Sequence, residues 1–102
     1  AVLVTSGAAV GSQPFWGPYA ATKAALEAVG RSWAGESEQT NLRINMLNPG
    51  GTATKMRASA FPGENPETLP LPEDIAPAFL ALLATDCTHH GELVDARAML
   101  GL

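Results

Sequence analysis

The chain has 102 residues, the size of one domain, so a second full domain is excluded. At 46% hydrophobic and 16% charged its composition is globular, which excludes intrinsic disorder for most of its length. The formal charge of −4 and six scattered basic residues leave no electrostatic footprint for a phosphate backbone, so nucleic acid is not expected as a partner.

Residues 1–5 are apolar and β-branched with no period-two alternation, the pattern of a parallel strand covered on both faces, and Ser6 falls at the carboxyl end. The chain therefore reads as opening within a domain. No basic region precedes an apolar stretch, so no signal peptide is expected. The lone Cys87 has no internal disulfide partner, and the expected location is cytoplasmic. Residues 7–18, dense in Gly, Pro and small side chains, read as a loop closed by Pro18 in the first turn of a helix. The same glycines and prolines interrupt the uncharged run 1–22, so neither a membrane span nor a membrane partner is expected.

Residues 19–35 are the helix, rich in alanine, with Tyr19, Lys23, Leu26, Gly30 and Trp33 on one face and Glu27 with Arg31 as an exposed i,i+4 pair. A polar turn at 36–41 leads to a second strand at 42–48, LRINMLN, which ends at Pro49-Gly50-Gly51. Strand, helix and strand make a parallel βαβ unit, and the carboxyl ends of both strands meet at the edge where α/β sheets bind ligands. The stretch 52–71, with Pro62, Pro66 and Pro70, is too long for an ordinary linker and reads as a lid. Pro72, Glu73 and Asp74 open a second helix with Ile75, Phe79, Leu82 and Leu83 as its buried stripe; Pro77 is expected to weaken or bend its start. Residues 92–96 complete an α/β fold of about three strands and two main helices as a short third strand.

Tyr19 and Lys23 rise one turn apart from one helix face and can act on one ligand. A phenol, with a reference pKa near 10, is a poor acid–base catalyst at neutral pH until a neighbouring cation favours its anion. The alternative is an interfacial tyrosine beside a snorkelling lysine. Ser6 points at the same edge, where a hydroxyl can hold a carbonyl oxygen or, alternatively, satisfy the backbone of its own loop. In NPGGTAT, Pro49 ends the strand and Gly50-Gly51 let backbone approach a ligand. Thr52 and Thr54 offer hydrogen bonds there, although alone the motif is an ordinary Pro-Gly turn.

Ser6, thirteen residues before Tyr19, then Tyr-x-x-x-Lys, then a strand ending in Asn-Pro-Gly with Thr54 four beyond Gly50, together resemble the short-chain dehydrogenase/reductase superfamily. The resemblance runs over all 102 residues, and the segment NPGGTATKMRASAFPGENPETLPLPEDIAP is similar to the YciK-like bacterial oxidoreductases of that superfamily. It implies that 1–102 are the carboxyl-terminal half of a single Rossmann domain, a doubly wound parallel sheet, with 55–71 as its substrate loop. It implies an NAD(P)-dependent oxidoreductase acting on a small-molecule carbonyl or secondary-alcohol substrate. In that implied site Tyr19 is the general acid–base, Ser6 orients and polarises the substrate oxygen, and Lys23 favours the phenolate and binds the nicotinamide ribose. Tyr19 also touches the cofactor. The backbone around Pro49, Gly50 and Thr52 meets the nicotinamide side, and Thr54 bonds its carboxamide or the pyrophosphate. The family's glycine-rich phosphate turn and the residue that selects NAD or NADP lie upstream of the position held by Ser6. Ala96-Arg97 stands where the family has Gly-Gly after the strand aspartate.

Elsewhere, His89-His90 has no third ligand at metal spacing and reads as a solvated loop, and Cys87 reads as a core thiol. Phe15 and Trp16 read either as a substrate wall or as packing. A reading from another class is a catalytically silent α/β association module. Two helices on crossovers of one hand are expected to cover the same sheet face and leave the other bare, which points to a homo-oligomer.

Overall fold

In the computed structural model, which describes all of Ala1–Leu102, β1 (Val2–Val4), β2 (Asn45–Asn48) and β3 (Leu93–Asp95) lie in that order in one sheet. Both pairings are parallel, with Leu3 opposite Met46, Val4 opposite Leu47, and Leu47 opposite Val94. The sheet is therefore the predicted α/β arrangement, with strands shorter than the apolar runs that encode them. At the start of β2 the ladder is interrupted because the Ile44 N–H donates to the ring Nδ1 of His90, at 3.1 Å, rather than to a strand.

Helix α1 (Gly17–Glu36) opens with Pro18 in its first turn, where a missing N–H has no consequence. It packs on the sheet through Gly30. A Cβ there would lie 2.5 Å from Met46 Sδ and 3.0 Å from Leu3 Cδ1, so only glycine lets helix and strand approach this closely. Helix α3 (Pro72–Leu83) buries Ile75, Ala78 and Leu82 in a core with Leu47 and Ala96, flanked by Val2, Phe79 and Val94.

Met46 meets α1 and Leu47 meets α3. Successive strand residues point to opposite faces, so the two helices lie on opposite faces of the sheet. This corrects the expectation of a shared face and a bare one. Strand order β1-β2-β3 means that both crossovers step the same way along the sheet. Helices on opposite faces then require crossovers of opposite hand, so one of them has the left-handed sense that parallel units avoid in roughly 98% of cases. β2 is covered on both sides, and Asn45, Met46 and Leu47 are buried.

The stripe of α3 is also revised. Ala78 takes the inner position, Phe79 is half-buried, and Leu83 is 57% exposed. Pro77 neither ends nor splits the helix; in its second turn the ring deprives only the Glu73 carbonyl of a partner. The Asp74 carboxylate accepts from the Leu71 N–H at 2.9 Å and holds the helix start. The lid carries structure of its own, α2 (Lys55–Ala60) and a 3-10 turn at Pro66–Thr68, and its two ends are joined by Ala53 N–H to Pro70 C=O at 2.9 Å.

A fourth helix, α4 (Ala96–Leu100), follows β3 directly where only a strand end was expected. Asp95 caps it by accepting from the Ala98 N–H at 3.1 Å, and Gly101 ends it at φ 72. No helix is long and apolar enough to cross a membrane.

Candidate active site

The carboxyl edge of the sheet holds the polar residues that the sequence singled out. Ser6 follows β1 and caps a 3-10 turn, Gly7–Ala9, its Oγ accepting from the Ala8 N–H at 3.2 Å. The local backbone role is thus real. The hydroxyl proton goes to no other atom of the chain and is available to a ligand.

Tyr19 and Lys23 stand on successive turns of α1, with Lys23 Nζ 5.8 Å from the centre of the Tyr19 ring. The ammonium also donates to the Val4 carbonyl at 3.0 Å, which ties the helix to the end of β1 two residues before Ser6. One turn further, the buried Glu27 carboxylate accepts from the Thr5 hydroxyl. Arg31 Nη1 lies 4.0 Å from Glu27, but the pair is not the exposed one expected, because Glu27 is only 6% accessible. The physical reason is the helical stripe itself. Residues at i, i+4 and i+8 share a face, so the geometry that turns Tyr19 and Lys23 inward turns Glu27 inward too.

After β2, the Asn48 side chain accepts from the Gly50 N–H at 2.9 Å and folds 48–50 into a tight turn. Gly50 has φ +73, and a Cβ on it would lie 2.6 Å from Arg97 Cδ. Arg97 thus sits beneath the turn, at one of the two positions where the sequence departs from the family pattern. Thr52 Oγ1 donates to the Gly50 carbonyl at 3.2 Å, and Thr54 Oγ1 accepts from the Arg57 N–H at 3.1 Å to cap α2. The amides of Gly51 and Thr52 make no hydrogen bond within the chain.

Ser6, Tyr19, Lys23, Pro49, Gly50, Thr52 and Thr54 all line one cavity of ≈ 1160 Å³. Every predicted site residue is therefore brought to one place. The lid adds Arg57 and Phe61 to the wall. Arg57 grips Glu64 with two bonds, Nε to Oε1 at 2.8 Å and Nη2 to Oε2 at 3.0 Å. Its guanidinium lies 3.8 Å from the centre of the Phe61 ring. The side-chain hydrogen bond with Glu64 raises the Arg57 pKa against the opposing effect of burial, and the same bond holds the Glu64 carboxyl below its usual range.

Phe61 packs on Trp16 at 5.6 Å between ring centres, and Trp16 meets Tyr19 edge-on at 5.8 Å and 86°. Trp16 thus belongs to the wall, and Phe15, fully exposed on the cavity rim, holds the left-handed conformation at φ 69. Three side chains carry no local signal in the sequence: Arg57, Glu64 and His90. The Arg57–Glu64 clasp joins α2 to the turn that follows it, seven residues on and outside any helical repeat. His90, expected in a solvated loop, is instead half-buried and bridges two elements. Its Nδ1 accepts from Ile44, so the neutral ring carries its proton on Nε2 and donates it to the Ala34 carbonyl at 2.8 Å. His89 is paired with Glu92 at 2.9 Å.

The family model of the short chain dehydrogenases matches residues 1–65. The uncharacterized oxidoreductase YciK of Escherichia coli K12 is 49% identical over 86 residues, which cover 82% of this chain and 34% of YciK. The crystal structure of a short chain dehydrogenase from Salmonella enterica serovar Typhi is similar at a TM-score of 0.89 and 41% identity, over 94% of this chain and 40% of that one. A short chain dehydrogenase from Escherichia coli CFT073, solved in complex with NADPH, gives a TM-score of 0.87 and 42% identity over the same shares, 94% and 40%. The chain thus spans little more than a third of the length of these relatives. With its parallel sheet, its Tyr-x-x-x-Lys helix and these likenesses, the chain belongs to the short-chain dehydrogenase family of oxidoreductases.

Proposed function

We propose that the full-length protein is a nicotinamide-dependent oxidoreductase that interconverts a ketone or aldehyde and the corresponding alcohol, with Ser6, Tyr19 and Lys23 as its catalytic residues. One observation carries the reading: Ser6, the Tyr19–Lys23 pair and the 49–54 turn, far apart in sequence, line one cavity at the carboxyl edge. This chain would form the carboxyl-terminal half of the domain.

The donor set suits a nicotinamide nucleotide. The free amides of Gly51 and Thr52, the Thr54 hydroxyl proton and the Lys23 ammonium are donors for carboxamide and ribose oxygens. Gly50 and Gly51 allow backbone to come close. Lys23, Pro49, Gly50, Thr52 and Thr54 would hold this cofactor, with Tyr19 beside it. The NADPH bound by the Escherichia coli relative supports that class. When bound, the nicotinamide supplies or accepts a hydride.

The chain's own residues handle the proton. The Tyr19 hydroxyl gives its proton to the substrate oxygen as the alcohol forms and takes it back in the reverse direction. Ser6 donates its free hydroxyl proton as a hydrogen bond to the same oxygen and holds developing negative charge. Lys23, fixed to the Val4 carbonyl, keeps a positive charge beside the phenolate left on Tyr19. The lid closes the substrate side. Exposed Val29 and Trp33 on α1 support a second subunit covering this helix. Oxidation of NADH or NADPH by full-length protein with a panel of ketones and aldehydes is the test. The reading fails if turnover survives Tyr19→Phe.

A further inference from the structure

We propose that the substrate is an uncharged ketone or aldehyde bearing an aromatic or bulky apolar group, and that Glu64 sets this preference by holding the charge of Arg57. The inference rests on the oxidoreductase reading and names the substrate class of the same site.

Next to Tyr19 the cavity offers a continuous aromatic wall. Trp16 stands edge-on to Tyr19, Phe61 lies against Trp16, and the guanidinium plane of Arg57 covers Phe61. Phe15 and Met56, 100% and 70% exposed, extend the wall at the rim. Side chains of this size facing a cavity gain most from an apolar partner that displaces water.

Only two cations border the cavity, Lys23 and Arg57. Lys23 is bonded to the Val4 carbonyl beside Tyr19. Arg57 is the group that would otherwise receive a substrate carboxylate or phosphate, and both oxygens of Glu64 already occupy its Nε and Nη2. Glu64 is tethered seven residues away, so it competes at an effective concentration on the order of millimolar or higher. A free anion at lower concentration does not displace it. The clasp thus turns the one potential anion receptor on the lid into a neutral, ring-capped surface continuous with Phe61 and Trp16.

The test compares acetophenone with phenylglyoxylate, which share a phenyl ketone and differ in a methyl against a carboxylate. Binding to the full-length protein is read as quenching of tryptophan emission, with the Trp16→Phe variant defining the Trp16 contribution. Acetophenone is expected to bind about tenfold tighter than phenylglyoxylate. Glu64→Gln is expected to free Arg57 and raise phenylglyoxylate affinity by about tenfold, and Arg57→Gln added to it is expected to remove that gain. Phenylglyoxylate binding as tightly as acetophenone in the unmodified protein would overturn the proposal, and so would a Trp16 signal that answers neither ligand. Because the readout is binding, a failure to oxidise NADH or NADPH counts against the reaction assigned to Tyr19, while the affinity ratio alone decides the substrate class. If Glu64→Gln does not fold, the ratio in the unmodified protein still decides it.

Discussion

On the α1 side of the cavity the ties that hold helix to sheet join residues far apart in the chain. Lys23 reaches Val4, Glu27 reaches Thr5, and His90 joins Ile44 to Ala34. On the lid side the ties close within the lid itself. Thr54 caps Arg57, Arg57 grips Glu64, Asn65 Oδ1 accepts from the Glu67 N–H, and Ala53 meets Pro70. A long-range tie breaks only when helix leaves sheet, which is close to global unfolding, whereas a local one can open while the sheet stays intact. The wall proposed for the chemistry therefore shares the stability of the whole fold, and the wall proposed for the substrate has a stability of its own.

This contrast can be broken or sharpened by substitution. Tyr19→Phe removes the proton donor alone and should lower turnover in the full-length protein by on the order of 10²–10⁴-fold with cofactor affinity unchanged. A parallel loss of cofactor binding, measured by enhancement of NADPH fluorescence, would mean that the hydroxyl does more than proton transfer. Next in size, Gly30→Val drives a branched side chain against buried Met46 and should destabilise by about 1–3 kcal/mol, seen as a lower denaturant midpoint for the entire fold. His90→Phe leaves the Ile44 N–H without a partner and the Ala34 carbonyl with only the Ser37 N–H, and should also lower global stability, by about 1–3 kcal/mol.

Thr54→Val removes the cap of α2 at a local cost of about 1 kcal/mol. Proteolysis and amide exchange within 55–71 should speed up while the unfolding midpoint stays put; a shift of the midpoint would show that the lid is not independent. Acid gives the mildest effect. Arg57 holds the Glu64 carboxyl below its ordinary value of 4.5, so the clasp contributes fully above that pH and is lost as pH falls through the lowered value. Lid protection should accordingly be flat from neutrality down to 4.5 and decline only below it.

The parallel sheet and the shared edge were readable because apolar 1–5 and the β-branched 42–48 flank an alanine-rich helix, and that order admits few topologies. Tyr19 and Lys23 were readable as a same-face pair from helical spacing, and their place in a site only from the resemblance. Glu27 was misread for a related reason. Pair rules consider neighbours on the same helix, and the partner that makes its burial tolerable, Thr5, lies just past the end of β1, 22 residues away. The covered face was missed because the right-handed rule describes the common crossover and carries no information on the exception. α4, with five residues, is shorter than any window in which apolar periodicity can be seen, although Asp95 is a good cap.

The opposite hand of the two crossovers also dictates the path of the chain above the sheet. Leaving β2, the backbone reaches the α1 side, where Phe61 touches Trp16, and then descends into α3 on the other side. It therefore crosses the carboxyl edge, where Met56, Arg57, Ala60 and Phe61 share the lining of the cavity with Ser6 and Tyr19. The roof of the cavity is this detour: a connection of the usual 2–6 or so residues would pass from β2 to α3 without reaching Trp16. Residues inserted at 62–66 would enlarge the roof without altering the route. Because Ala53 and Pro70 already meet at 2.9 Å, removal of 54–69 would take the roof away while leaving α3 seated against Leu47.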